Sequence, residues 1–191
     1  MNKQRVVIML FVLVALVQLA VPVKMIWSSE DIITHGERHL FKLMPVDPYD
    51  PFRGKYITLR FEIEQYSDHI ACNTENKKDM YVRLTKDSAG YSIVQDISIL
   101  KPTDKHYFIS EVYCYTDPNG KSNYSIMPSF NKYYMKETLA QGAENLTRRN
   151  QLDQKKDAYA EVYIANGDVR IKQVFIGDQE IETIVKQSLN K

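Results

Sequence analysis

Two histidines four positions apart are the residues whose type and spacing first suggest metal chemistry. His35 and His39 flank Glu37, and on a helix an i, i+4 histidine pair with a carboxylate nearby can bind zinc. The order of these residues is not that of the H-E-x-x-H motif. Gly36 also disfavours a helix at this point, so the segment is expected to be extended. We therefore predict no metal site here.

The sequence also shows no recognisable arrangement of catalytic residues. His69 and His106 are isolated in the sequence and give no triad pattern. Ser28 and Ser29 follow an apolar N-terminal run, an arrangement that resembles bacterial signal peptidases, which need a serine nucleophile and a lysine base. Arg83 stands where such a base would be wanted, and an arginine side chain stays protonated. We predict no catalytic residue and no cofactor, and keep a signal-peptidase-like serine hydrolase as an alternative.

An uncharged apolar run from Val6 to Val23 predicts a membrane anchor. As a helix it would be about 27 Å long, close to the thickness of a bilayer hydrocarbon core. Lys3 and Arg5 precede it, which predicts a cytoplasmic N-terminus. The alternative is a cleaved signal peptide, but cleavage after Ala20 would place Gln18 at the −3 position, where a small residue is expected.

The rest of the chain is expected to form one domain outside the cytoplasm. We divide the 191 residues into an anchor with a short cytoplasmic N-terminus, 1–27, and an extracytoplasmic domain, 28–191. The domain contains 22 of the 25 basic residues and all 24 acidic residues. This balance gives no reason to expect nucleic acid as a partner.

The two cysteines of the chain, Cys72 and Cys114, would lie in an oxidising compartment with this topology. A disulfide between them is then permitted, and it would contribute about 3–4 kcal/mol to stability in the chain-entropy model. The alternative is two separate buried thiols.

Alternating polar and apolar residues predict a mostly β (α+β) domain. Tyr56–Tyr66 has the clearest alternation of a half-buried strand. The other predicted strands are Met80–Thr85, Tyr91–Ile99, Tyr107–Thr116, Ala158–Ala165 and Val169–Ile176. Asn119-Gly120 and Asn166-Gly167 predict hairpin turns. These features favour an antiparallel β sandwich or barrel-like domain.

Three further segments complete the predicted order of elements. Residues 28–39 are polar and are expected to be a tether or a first strand. Good helix formers predict one late helix over 135–151. A short last strand and a polar tail are expected after Gly177-Asp178.

The segment from Pro45 to Phe61, PVDPYDPFRGKYITLRF, resembles the signature of the GDYXXLXY family of bacterial membrane-anchored proteins. Lys55 stands where the family name has aspartate, and Phe61 where it has a second tyrosine. The residues that carry the signature, and that we consider for partner contact, are Asp47, Pro48, Asp50, Phe52, Arg53, Gly54, Tyr56, Leu59 and Phe61.

The residue types in this segment suggest different roles. Asp47 and Asp50 could present carboxylates to a cation, but aspartates beside prolines more often accept backbone N–H groups in turns. Leu59 and Phe61 are expected in the core, and Tyr56 is the better candidate for a surface contact. The turn-rich stretch Pro45–Arg53 is our expected contact surface.

The resemblance implies a group without an established activity, often encoded beside a polytopic membrane protein. We therefore expect a single-pass protein of the bacterial inner membrane with a periplasmic domain. That domain is expected to be a non-catalytic interaction module or an accessory subunit of a polytopic membrane protein. The alternative is a module that binds a small ligand or envelope polymer on tyrosine-rich surfaces.

Overall fold

A single long helix, α1 (Lys3–His35), opens the computed structural model, which describes residues 3–44, 56–68, 78–117, 121–140, 142–143 and 157–189. The large apolar side chains from Val7 to Trp27 are exposed along it. In length and composition this part of α1 could cross a membrane. The helix continues through Pro22 and past the predicted boundary between residues 27 and 28.

The last turns of α1 pack on the folded domain instead of forming a tether. Ile32 is buried, and the Ser29 hydroxyl oxygen accepts a hydrogen bond from Arg170 Nε at 3.1 Å. At Gly36 an added Cβ would lie 2.3 Å from the Ile32 carbonyl oxygen and 3.0 Å from that of Ile164. The prediction of a tether or first strand over residues 28–39 is therefore wrong for residues 28–35, which are helical. The first strand begins at Glu37.

Twelve strands are present in the described parts of the chain, and all the sheet pairings are antiparallel. They are β1 (Glu37–Met44), β2 (Tyr56–Thr58), β3 (Arg60–Phe61), β4 (Gln65–Asp68), β5 (Lys78–Lys86), β6 (Ser92–Ser98), β7 (Tyr107–Thr116), β8 (Ser122–Met127), β9 (Lys132–Tyr134), β10 (Ala158–Ala165), β11 (Asp168–Ile176) and β12 (Gln179–Glu180).

The strands form two five-stranded sheets and a two-stranded ribbon. The first sheet has the order β12-β11-β10-β1-β3, the second has the order β4-β8-β7-β5-β6, and β2 pairs with β9. A bridge between Phe108 and Gly167 joins the sheets, with Ile109 N–H donating to the Gly167 carbonyl at 3.1 Å. The arrangement is nearly closed and barrel-like, which confirms the predicted mostly β fold.

Aromatic rings from both sheets fill the centre of this arrangement. Phe41 of β1 lies 5.9 Å from Phe61 and 6.2 Å from Phe108, measured between ring centroids. Phe130, just before β9, is 5.9 Å from Phe41. Phe41, Phe61 and Phe108 are fully buried. The core therefore holds β1, β3 and β7 together across the two sheets.

The strand predicted over Tyr56–Tyr66 is broken into three. A 3-10 turn (Glu62–Glu64) interrupts it after β3. The Glu64 carboxylate accepts the Phe61 backbone N–H at 2.7 Å, and Arg60 Nε also donates to it at 3.4 Å. A side chain thus takes the backbone donor that a continuous strand would use.

The later helical segment and the chain end differ partly from prediction. A helix was predicted over 135–151, and residues 137–140 and 142–143 within this range are helical. Residues 141 and 144–151 lie outside the described residues. The predicted short last strand is β12. The chain end was expected to be a polar tail, but residues Ile181–Leu189 form a helix, α2. Ile181 and Val185, one turn apart on this helix, are fully buried, which stabilises it against the domain.

Candidate functional site

β2, which contains Tyr56 of the signature, pairs with β9 in a two-stranded ribbon. This ribbon has a buried face and a more exposed face. Ile57 of β2 and Tyr133 of β9 are opposite each other and buried. Leu59, between β2 and β3, donates its N–H to the Asn131 carbonyl at 2.8 Å and is also buried. Leu59 and Phe61 thus lie in the core, where the residue pattern predicted them.

The exposed face of this ribbon carries two tyrosines and a lysine. The rings of Tyr56 and Tyr134 are paired across the strands at 5.5 Å. Lys132 Nζ lies 5.1 Å from the centre of the Tyr56 ring, within the range of a cation–π contact. Tyr134 is 67% exposed. We call Tyr56, Lys132 and Tyr134 the ribbon cluster.

The part of the signature before β2 lies outside the described residues. This applies to Asp47, Pro48, Asp50, Phe52, Arg53 and Gly54, so their roles stay predictions. The two ends of the stretch are described. Met44 ends β1 opposite Arg60, and Tyr56 begins β2 opposite Tyr134.

A cleft of about 510 Å³ opens beside the ribbon cluster. Lys132, Arg170, Lys172 and Glu182 contribute charged groups to its lining. The hydroxyl of Tyr133 at its wall shares its single hydrogen between Gln173 Oε1 at 3.2 Å and Glu182 Oε1 at 3.3 Å. Burial, followed by the charge of Glu182, raises the pKa of Tyr133 well above its usual value, so its hydroxyl remains a donor.

Cys114 of β7 is buried and disulfide-bonded. Cys72 lies outside the described residues. The predicted pairing of these two residues therefore stays a prediction.

The groups considered for hydrolase chemistry have other contacts. Ser29 is held by the guanidinium of Arg170, which cannot accept a proton. Arg83 forms an ion pair with Asp96, with Nε 3.0 Å from each carboxylate oxygen. These contacts connect secondary-structure elements and place no general base at Ser29.

Glu37 and His39, which were considered with His35 in the sequence, come together with His106, which was considered separately. Glu37 and His39 are two positions apart on β1 and so lie on one face of it. His106 lies just before β7, and one potential ligand atom from each of Glu37, His39 and His106 is within 4.8 Å of the others. We call these residues the histidine–glutamate cluster.

Hydrogen bonds and burial define the state of this cluster. His39 is 3% exposed, and its Nδ1 shares a hydrogen bond of 2.8 Å with Ser92 Oγ. Glu37 Oε2 lies 3.3 Å from His106 Nδ1. Burial lowers the pKa of His39 to about 4; the charges of His106 and Lys86 act in the same direction and that of Glu37 in the opposite one. His39 is therefore neutral at neutral pH.

His35 does not take part in the arrangement that the i, i+4 spacing suggested. It lies in the last turn of α1, where its Nδ1 is 2.8 Å from Asp31 Oδ1. The helix ends at His35, so His39 belongs to a strand, and its neighbour is His106, 67 positions later. The pairing of β5 with β7 places His106, and no local spacing in the sequence indicates it.

A family model described as GDYXXLXY protein matches residues 18–174, most of the chain. The matched range extends from within α1 to β11. Comparison with curated proteins and with solved structures gave no match.

Proposed function

Since this chain belongs to the GDYXXLXY family, we propose that it is a membrane-anchored interaction module, an accessory subunit of a polytopic membrane protein. In this proposal α1 crosses the bacterial inner membrane with its N-terminus in the cytoplasm. The strand-rich domain lies in the periplasm. It contacts the partner through the ribbon cluster and through Pro45–Arg53, the part of the signature that precedes β2. No catalytic step is part of the proposal.

The continuity of α1 supports an anchored module with a fixed orientation. The exposed apolar part and the part packed on the domain belong to one helix. Ile32 and the bond between Ser29 and Arg170 attach the end of α1 to the first sheet. A domain joined to its anchor in this way presents the same surface to any neighbour in the membrane.

The single observation that carries the contact surface is the aromatic pair of the ribbon cluster, in which Tyr134 is exposed and Tyr56 is half-buried. Tyr134 leaves two thirds of its surface to solvent, although Ile57 and Tyr133 on the other face are buried. Tyrosine offers a large contact area and a hydroxyl at low entropic cost, and it is enriched at protein interfaces. Tyr56 and Tyr134 therefore suit a protein partner.

Site-specific photocrosslinking in native membranes tests this proposal. A crosslinking amino acid at position 134 should give one discrete adduct with a membrane protein. Position 115 on β7 is the matched control, because Tyr115 is also an exposed tyrosine, 52% exposed, on another strand. Equal adducts at both positions, or none at 134, would contradict the assignment of the surface.

The second candidate function is binding of an anionic envelope ligand in the cleft beside the ribbon cluster. Lys132, Arg170 and Lys172 line that cleft, with Glu182 as the opposing charge. A heparin oligosaccharide, used as an anionic glycan probe, should then bind the purified protein and bind Lys132→Gln/Lys172→Gln more weakly. Equal binding by both proteins would eliminate this candidate.

A further inference from the structure

We propose that Glu37, His39 and His106 form a binding site for a divalent transition-metal ion such as Zn²⁺. Two imidazoles and one carboxylate are a ligand set that zinc takes in proteins. This inference rests on the histidine–glutamate cluster alone and is independent of the proposed partner.

The separations between the potential ligand atoms fit a small metal ion. Bonds of about 2.0–2.1 Å to a tetrahedral Zn²⁺ place ligand atoms roughly 3.3 Å apart. Glu37 Oε2 and His106 Nδ1 are already at 3.3 Å. A potential ligand atom of His39 lies within 4.8 Å of the other two residues. The side chains of Glu37 and His106 are 45% and 52% exposed, so they have room to close the remaining gap.

The second observation is an unpartnered buried nitrogen. His39 Nε2 is buried and has no hydrogen-bond partner among the described residues. Leaving a buried polar atom in this state is costly, and a metal ion at Nε2 would remove that cost. The contact between Glu37 and His106 does not involve this nitrogen, and a metal ion shared by the three residues would give it a partner.

Ser92 completes the arrangement expected around a metal-binding histidine. Its hydroxyl shares a hydrogen bond with His39 Nδ1 at 2.8 Å, which holds the ring. Metal-binding histidines usually have such a partner on the nitrogen that does not bind the metal. With Nδ1 held by Ser92, Nε2 is the nitrogen available to the metal.

The surroundings connect the cluster to solvent on the side of Glu37. A cleft of about 390 Å³ borders the cluster at Glu37 and is also lined by Lys101 and Lys105. Zinc sites with three protein ligands take water or another small ligand as the fourth. The positive charge of Lys86 acts against a cation at His39, and the carboxylate of Glu37 acts in its favour.

Metal titration of the full-length protein in detergent tests the proposal. After treatment with EDTA and removal of the chelator, Co²⁺ should bind one equivalent and give the intense visible absorption of a low-coordinate site, and Zn²⁺ should displace it. The variants His106→Gln and Glu37→Gln change partly exposed side chains and are expected to fold. Each should weaken Zn²⁺ binding at least 10-fold. His35→Gln, whose imidazole is paired with Asp31, is the matched control and should bind as wild type does.

Ser92→Ala tests whether His39 is a ligand without changing His39 itself. Loss of a hydrogen-bond partner of a metal-binding histidine typically weakens affinity 10–100-fold, and circular dichroism would check that the variant is folded. Wild-type protein that binds no Zn²⁺ would overturn the proposal. Binding that is unchanged in His106→Gln and Glu37→Gln would overturn it equally, because the metal would then be bound elsewhere.

Discussion

Ser29 near the end of α1 and Arg170 of β11 are joined by a hydrogen bond of 3.1 Å between residues 141 positions apart. This contact, with buried Ile32 in the next turn, makes the end of α1 part of the folded domain. The long apolar helix is thus one continuous structure with the first sheet.

Loss of this contact should weaken the docking of α1. We expect Ser29→Ala to lower the free energy of unfolding by about 1 kcal/mol, the typical net contribution of an intramolecular hydrogen bond. Ser28→Ala is the matched control, because Ser28 is exposed in the same turn. Chemical unfolding of the full-length protein measures both, and equal stability of the two variants would contradict a role for the bond.

Gly36 allows the chain to turn from α1 into β1 against β10. A Cβ at this position would meet the carbonyl oxygens of Ile32 at 2.3 Å and Ile164 at 3.0 Å, and neither backbone atom can move aside easily. We expect Gly36→Ala to destabilise the protein by about 3 kcal/mol, the upper end of the range for overpacking. Thermal unfolding would measure this, and a change below about 1 kcal/mol would show that the turn can relax.

Phe41 is the residue at which the aromatic core converges. It is fully buried, and its ring contacts Phe61, Phe108 and Phe130. Phe41→Ala should lower the free energy of unfolding by about 3–5 kcal/mol. Tyr113→Ala, on the exposed face of β7, is expected to change it by less than about 0.5 kcal/mol. Denaturant unfolding of both variants gives the comparison.

Glu161 should make stability depend on pH on the acid side. Its burial alone would raise its pKa, but hydrogen bonds from Arg38 and Tyr163, with the charge of Lys172, lower it overall. A carboxyl with a lowered folded-state pKa stabilises the protein above its unfolded-state pKa, and this stabilisation is lost as the pH falls through the folded-state pKa.

Glu161→Gln isolates that contribution. At pH 7 the variant should be less stable than wild type, and the difference should shrink as the pH falls below the ordinary pKa of a carboxyl group. Urea unfolding at a series of pH values measures the difference. A difference that stays constant with pH would mean that Glu161 acts through packing alone.

Local patterns predicted the strands well because their determinants are local. β7 and β10 have the predicted bounds, and Asn166 and Gly167 between β10 and β11 have φ angles of 54° and 91°, as the predicted two-residue turn requires. The break after Phe61 was missed because it depends on the Glu64 side chain. Such a competing hydrogen bond does not disturb the alternation of residue types.

Non-local contacts account for the other differences. The polar residues after Trp27 remain helical because the first sheet packs against Ile32 and binds Ser29. The histidine–glutamate cluster exists because the core faces of β1 and β7 meet, at Phe41 and Phe108, next to His39 and His106. Neither relationship leaves a spacing signal in the sequence.

Purification from native membranes in mild detergent, with identification of bound proteins by mass spectrometry, tests the central claim most directly. We predict one stoichiometric polytopic partner. This partner should be retained when residues 28–191 are placed on an unrelated membrane helix. Loss of the partner after this exchange would place the contact in the anchor and contradict the assignment to the ribbon cluster. A monomeric wild-type particle without any partner would contradict the accessory-subunit account itself.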